Sequence, residues 1–333
     1  MLYLAAIVGA AAVGIFIPGM APVFGAAITP VLALLLFATF LGVPLVQIGP
    51  ALRDGRFLLT LLLVNFVVVP GVVFGLSRFV AGDDALLVGV LLVLLTPCID
   101  YVIVFTGLAG GARERLLAAT PLLMVLQIVF LPLYLRLFAG VEAAAAIEVG
   151  PFVDAFLWLI VLPLVGAAIV HGFSRRPSTA TITRGTTALA QQIERVLASA
   201  MVPLMMLTLA VVIASQIAVV RNELPSLLRI IPLYLLFAIV MLVVGLIVGR
   251  LAGLDTPAVR ALVFSGTTRN SLVVLPLALA LPDSLALAPL AVVTQTLVEL
   301  LVVVVWVALV PRLTREASTP AASAADERSI PHP

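Results

Sequence analysis

The chain alternates long apolar runs with short polar connections. Each run has about the length of a helix that crosses a bilayer, which takes roughly 20 residues. Arginines and acidic residues cluster between the runs and mark their boundaries. The pattern predicts an all-α integral membrane protein with ten transmembrane helices, called spans one to ten. The predicted spans cover residues 2–18, 26–46, 57–79, 85–108, 116–138, 152–171, 195–220, 229–250, 259–281 and 287–310.

The composition agrees with this pattern, since 63% of the residues are hydrophobic, 10% are charged and the mean hydropathy is +1.31. Soluble domains carry roughly 25% charged residues, so a soluble fold is excluded. Span one has no basic segment before it and no clear cleavage site behind it, so we expect a retained helix and not a signal peptide. The tail at 314–333 is rich in Ala, Ser and Pro and is predicted to be disordered.

The basic residues follow the loops. All 18 are arginines, of which thirteen fall on the side that carries both termini, four on the other side, and Arg269 within span nine. The positive-inside rule therefore predicts cytoplasmic termini and a multi-pass protein of the cell (plasma or inner) membrane. We expect the lipid bilayer as a partner and no nucleic acid, because the arginines form no single patch.

Cysteine and histidine are too scarce for several kinds of chemistry. The single cysteine, Cys98, excludes an intrachain disulfide, and the two histidines, His171 and His332, lie at a span end and in the tail. We expect no metal cluster and no cofactor. No histidine lies at depth to activate a serine, so we predict that the protein is not an enzyme. A receptor would need a sensor domain that no loop can hold, and a passive channel remains an alternative to a transporter.

The two halves of the chain share a polar pattern. A shift of 168 residues places "PLLMVLQ" at 121–127 over "PLAVVTQ" at 289–295. Because five helices per half is an odd number, the second half would enter the membrane from the opposite face, as in many secondary transporters. We predict two inverted repeats, although Leu/Val-rich spans also align by chance. The predicted units are a first repeat at 1–172, a cytoplasmic linker at 173–194, a second repeat at 195–313 to which the helix at 152–171 belongs structurally, and the tail.

Spans four and nine contain helix-breaking residues near the bilayer midplane. Pro97 removes a backbone donor in span four, and "SGTTRNS" at 265–271, with Gly266, interrupts span nine. Paired broken helices in transporters line a substrate site, because irregular backbone at that depth must be buried in protein or face a watery cavity. The alternative is a pair of structural kinks whose polar side chains satisfy each other.

Polar and charged residues at depth are the candidate binding groups. Asp100 and Arg269 should face each other, because each charge alone costs about 2.5–3.5 kcal/mol at a helix centre. Their pair is either a static lock or part of binding and ion coupling. Glu299 is a candidate with Gln295 on the same helical face, or else a protonated group bonded to a neighbouring helix. The candidate substrate- or ion-binding residues are Cys98, Asp100, Gln127, Thr267, Thr268, Arg269, Asn270, Ser271, Gln295 and Glu299.

These residues carry a resemblance to a known family. The segment "PCIDYVIVF" at 97–105 and the segment "LVEL" at 297–300 make the chain similar to the bile acid/arsenite transporter superfamily. The chain resembles most closely the arsenical-resistance branch, the arsenite efflux permeases, through the cysteine-centred motif of span four and the glutamate of span ten. The resemblance covers essentially the whole hydrophobic chain.

The resemblance implies a fold and a function. Spans three to five and eight to ten would form a core domain with crossed broken helices, and spans one, two, six and seven a panel domain. It also implies efflux of arsenite or antimonite, with Cys98 as the thiol near the path and Glu299 as the carboxylate. Thiolates are soft ligands suited to trivalent arsenic, and a single one permits release.

The chain departs from both branches of the superfamily. Asp100 stands where the arsenical-resistance motif has a small apolar residue. Ser265 and Arg269 stand where the sodium symporter branch has a glutamate and a glutamine, ahead of Asn270 and Ser271. We therefore expect no strong sodium requirement, a guanidinium in place of the sodium charge, and coupling to protons through Asp100 or Glu299. The alternative is a bile acid:sodium symporter-like carrier of small organic anions, which uses Arg269 and helix N-termini to receive the anion.

Overall fold

The computed structural model describes residues 9–10, 12–42, 54–99, 101–140, 157–174 and 224–314, and most positions between 189 and 215. Within these ranges the chain is helical, and the strand-like geometry is one isolated bridge. The prediction of an all-α protein is therefore confirmed. Asp100, the tail from 315 onward, and much of span one, span seven and the linker at 173–194 lie outside the described residues.

We label the principal helices in chain order. They are α1 (Ala21–Gly42), α2 (Gly55–Leu63), α3 (Val69–Ser77), α4 (Asp84–Leu94), α5 (Tyr101–Leu108), α6 (Arg113–Phe138), α7 (Leu162–Ser174), α8 (Leu224–Leu251), α9 (Thr256–Thr267), α10 (Ser271–Leu279) and α11 (Leu287–Leu313). A π-helical turn, Val64–Val68, joins α2 to α3, and another, Leu157–Val161, precedes α7. Short 3-10 turns occupy Pro18–Met20, Arg78–Val80 and Asp283–Leu285.

Four helical segments in the described part of the chain are long and apolar enough to cross a membrane. They are Ala21–Ala38, Gly55–Val80, Leu227–Leu251 and Asp283–Leu313. The two parts of α6 would add a fifth span, although they meet at an angle of 53°. Spans four and nine fall short of this length because each is divided into two helices, α4 with α5 and α9 with α10.

The helices follow the same order twice. A long segment (α2 and α3), a broken pair (α4, α5) and a long helix (α6) are followed later by α8, a broken pair (α9, α10) and α11. The broken helices lie at the centre, where α4 packs on α11 and α9 packs on α8. Away from this centre α1 packs on α7 and also contacts α10.

Glycines allow close contact of each long helix with a broken helix. A Cβ atom on Gly89 of α4 would lie 2.7 Å from the carbonyl oxygen of Ala288 and 2.8 Å from Cβ of Ala291, both on α11. A Cβ atom on Gly245 of α8 would lie 2.9 Å from Cα of Val263 on α9. Membrane helices gain packing energy by such close approach of their backbones. The two glycines therefore set the spacing between each broken helix and its long partner.

The substitution Gly89→Ala tests this packing. The added methyl group meets backbone atoms, which cannot turn aside, so the free energy of unfolding should fall by about 1–3 kcal/mol. Gly71→Ala on α3 is the matched control, because its Cβ would meet nothing within 4 Å. Thermal unfolding in detergent should show a lower midpoint for Gly89→Ala alone. Equal midpoints for both variants would contradict the proposed contact.

Candidate functional site

The two broken helices cross and exchange backbone hydrogen bonds. The backbone N–H of Cys98 donates to the carbonyl oxygen of Thr268 at 3.3 Å, and the N–H of Asn270 donates to the carbonyl oxygen of Thr96 at 2.9 Å. Pro97 lies opposite Arg269 in this antiparallel bridge. Backbone groups freed from the helices are thus paired inside the protein, as an apolar surrounding requires.

Threonine and asparagine side chains close the helix ends at this crossing. The hydroxyl group of Thr96 donates to the carbonyl oxygens of Leu92 and Val93, at 3.1 and 3.0 Å. The hydroxyl group of Thr268 donates to a carbonyl group of α9 at 2.8 Å. Asn270 caps α10 through its side-chain oxygen. Gly266 lies in the last turn of α9, and the chain leaves the helix after Thr267, so the break starts just beyond the predicted glycine.

Glu299 of α11 reaches the crossing with both carboxylate oxygens. Its Oε2 accepts from the backbone N–H of Arg269 at 2.7 Å and from the side-chain amide of Gln295. Its Oε1 contacts the hydroxyl group of Tyr101 at 2.5 Å, and that hydroxyl also lies 3.2 Å from the carbonyl oxygen of Arg269. Glu299 is 3% exposed, so its carboxylate is satisfied by protein groups and ties α11 to both broken helices.

The guanidinium group of Arg269 is completely buried and is surrounded by oxygen atoms. It donates to the carbonyl oxygens of Ser265 at 2.8 Å, Gly266 at 2.5 Å and Leu94 at 3.4 Å, and to Oδ1 of Asn65 at 3.3 Å. Its Cζ lies 5.4 Å from the centroid of the Phe237 ring. The carbonyl groups belong to the C-terminal ends of α9 and α4, where helix dipoles favour a positive charge.

The predicted partner of Arg269, Asp100, lies outside the described residues. Within the described part of the chain, no carboxylate forms a salt bridge with the guanidinium group. The expected charge pair therefore stays a prediction. The guanidinium group is hydrogen-bonded by carbonyl and amide oxygens, and Glu299 accepts a hydrogen bond from the backbone N–H of Arg269.

Asn65 was not among the residues that the sequence singled out. It lies in the π-helical turn of Val64–Val68, is fully buried, and its amide group donates to Oγ of Ser265 at 3.0 Å. Its side-chain oxygen accepts from Arg269. An asparagine in a long apolar span was the available signal, and π-helical turns are frequent at functional sites. Tyr101 belongs to the cysteine motif at 97–105 and was not among the predicted binding residues.

The other predicted binding residues differ in whether they contact the crossing of the broken helices. Cys98 is 0% exposed and sits in the crossing itself. Thr267 lies in the last turn of α9, and its hydroxyl group donates to the carbonyl oxygen of Val263. Ser271 begins α10. Gln127 is buried on α6, and no hydrogen bond among the described residues joins it to the crossing.

A small cavity borders the carboxylate of Glu299. Its walls include Glu299, Gln295, Thr267, Tyr234 and Phe237. The described residues contain no group of three or more metal-ligating side chains. The arrangement therefore holds a buried cation (the guanidinium), a carboxylate and a thiol at one crossing, beside this small cavity.

A sequence model of the sodium bile acid symporter family matches residues 29–223, which is more than half of the chain. The chain belongs to the sodium bile acid symporter family. No curated protein matches the chain. Members of the family are transporters and not enzymes, so the predicted superfamily and a membrane transporter of the bile acid and sodium symporter kind are confirmed. The match includes α4 and α5 and ends just before α8.

The hydrogen bond from the guanidinium group of Arg269 to the side-chain oxygen of Asn65 can be tested by substitution in this member of the symporter family. Asn65→Leu removes a hydrogen bond to a buried cation and should lower the free energy of unfolding by about 1.5–3 kcal/mol. Thr120→Val is the matched control, since among the described residues the buried hydroxyl of Thr120 bonds the carbonyl oxygen of Leu116 on its own helix, at 3.0 Å. Denaturant unfolding in detergent measures both, and equal losses would contradict the assigned role of Asn65.

Proposed function

We propose that this protein is a secondary active transporter that exports arsenite or antimonite. The observation that supports this proposal is the position of Cys98, the chain's one cysteine, within the crossing of the two broken helices. A thiolate is the soft ligand that trivalent arsenic prefers, and one thiol allows both binding and release. Family membership supplies the transporter class, and the thiol supplies the reason for this substrate.

The proposed transport does not need sodium. Four oxygen atoms, from Ser265, Gly266, Leu94 and Asn65, receive the guanidinium group of Arg269. Backbone carbonyl and amide oxygens are also ligands that a bound metal cation would use. A tethered guanidinium group therefore supplies the positive charge that a sodium ion would otherwise bring. The coupling ion is then a proton, and Glu299 or Asp100 is the group that binds it.

The proposed architecture has ten spans in two inverted repeats with both termini in the cytoplasm of the cell. The two successive sets of helices with the same order, α2 to α6 and α8 to α11, support it. The packing of α1 on α7, away from the central helices, supports a separate panel domain. The arginine asymmetry supports the orientation in the cell membrane.

A carrier of small organic anions is the second candidate. It is favoured by two buried groups that find no hydrogen-bond partner in the described part of the chain, Nδ2 of Asn270 and Oγ of Ser271. Both lie at the N-terminus of α10, where backbone N–H groups and the helix dipole favour a negative charge. An anion at this position would also be close to Arg269.

The substitution Cys98→Ser separates the two candidates. If arsenite binds the thiol, the variant should lose arsenite uptake into inverted membrane vesicles by at least about tenfold, because a hydroxyl group is a hard ligand. It should also fail to protect an arsenite-sensitive host. Ser77→Ala is the matched control, since Ser77 is equally buried but bonds the carbonyl oxygen of Phe74 away from the crossing. Arsenite transport by Cys98→Ser at the level of the control would refute the arsenite proposal.

The coupling ion can be tested in the same vesicles. Arsenite uptake should proceed in sodium-free buffer and should rise when a pH gradient, acidic inside, is imposed, because a proton leaves in exchange for arsenite that enters. Collapsing the gradient with a protonophore should remove the stimulation. A strict sodium requirement with no response to the pH gradient would contradict the substitution of sodium by Arg269.

A further inference from the structure

The hydroxyl group of Tyr101 faces two groups that accept hydrogen bonds. Its oxygen lies 2.5 Å from Oε1 of Glu299 and 3.2 Å from the carbonyl oxygen of Arg269. A phenol has one proton to donate, whereas an ionised carboxylate and a carbonyl group accept only. The hydroxyl group of Tyr101 can therefore donate its proton either to Oε1 of Glu299 on α11 or to the carbonyl oxygen of Arg269 at the crossing.

The other carboxylate oxygen of Glu299 is already occupied. Oε2 accepts from the backbone N–H of Arg269, which cannot become an acceptor, and from the side-chain amide of Gln295, which would have to rotate to offer its oxygen. Oε1 faces the hydroxyl group of Tyr101, whose oxygen can accept, so a proton can bind Oε1 without rotation of Gln295. A small cavity borders Glu299 on the other side.

We propose that Tyr101 is a positioning residue that reports the protonation of Glu299 to the crossing of the broken helices. The inference rests on the proposed proton coupling of this site. With Glu299 ionised, Tyr101 donates to Oε1. When a proton binds Oε1, Glu299 donates that proton in a hydrogen bond to the oxygen of Tyr101, and the hydroxyl of Tyr101 turns toward the carbonyl oxygen of Arg269. One proton is taken up from water, and the phenol keeps its own.

This change would act on both broken helices at once. Tyr101 is the first residue of α5, and the carbonyl group of Arg269 belongs to the extended segment between α9 and α10. Among the described residues, the titratable or charged groups that face Glu299 from the elements around α11 are Tyr101 and Arg269 at the crossing and Tyr234 across the cavity, while Cys98 is a neighbour of Arg269. Of these, Tyr101 holds a hydrogen bond that protonation of Oε1 would reverse.

The substitution Tyr101→Phe tests the switch through the pH profile of arsenite exchange, measured with equal pH on both sides of the vesicle. The ionised carboxylate loses a donor, and this loss outweighs the loss of an acceptor by the neutral acid. The midpoint of the profile should therefore move upward by about one pH unit. Tyr134→Phe is the matched control, since its hydroxyl group donates to the carbonyl oxygen of Phe66 and does not touch Glu299. A midpoint for Tyr101→Phe equal to that of the control would overturn the inference.

Infrared difference spectra of the purified protein give a test that does not depend on transport. Acidification should raise a carboxylic C=O band and shift a tyrosine C–O band at the same pH. Glu299→Gln should remove both changes together. A carboxylic band that rises without a tyrosine change would overturn the inference. If wild-type transport ignores the pH gradient while both bands change together, the proton-coupled function fails and the hydrogen-bond switch stands.

Discussion

A helix that breaks inside an apolar bundle leaves backbone N–H and C=O groups that must find hydrogen-bond partners within the protein. The centre of this protein meets that requirement. The two extended segments solve it by pairing with each other, through Cys98 with Thr268 and Asn270 with Thr96. Threonine hydroxyl groups donate hydrogen bonds to carbonyl oxygens at the ends of α4 and α9. The crossing is thus a contact at which backbone hydrogen bonds join the two broken helices.

Arg269 connects this joint to the surrounding helices through three of its groups. Its backbone N–H donates to Glu299, its carbonyl oxygen lies within hydrogen-bond distance of Tyr101, and its guanidinium group reaches Asn65 and the ends of α9 and α4. A buried charge left without such partners would cost several kcal/mol. The oxygen atoms that receive it lie on α2–α3, α4 and α9, so the position of the charge depends on the assembled bundle and not on one helix.

The same geometry relates the chain to its family. The chain belongs to the sodium bile acid symporter family, and at its broken helices a guanidinium group is surrounded by carbonyl and amide oxygens. The charge is permanent, so it cannot travel with a substrate. The carboxylate of Glu299, whose Oε1 accepts from the hydroxyl group of Tyr101, and the thiol of Cys98 lie at the same crossing.

Much of this arrangement follows from sequence alone. Apolar length predicted the membrane helices, Pro97 and the polar run at 265–271 predicted the breaks, and the spacing of Gln295 and Glu299 placed both on one face of α11. These features depend on local rules of helix geometry. The ten spans, the inverted repeats and the pair of Asp100 with Arg269 remain predictions.

Only the tertiary structure decided what the guanidinium group contacts. Asn65 lies 204 positions from Arg269, and the other acceptors are backbone oxygens, which every residue has and no sequence pattern marks. Tyr101 likewise gained its role from the meeting of α5 with α11. Residue types determined that charge and polarity would lie within the membrane. The register at which the broken helices cross determined which polar groups meet, because hydrogen bonds form only between atoms that packing brings within about 3 Å.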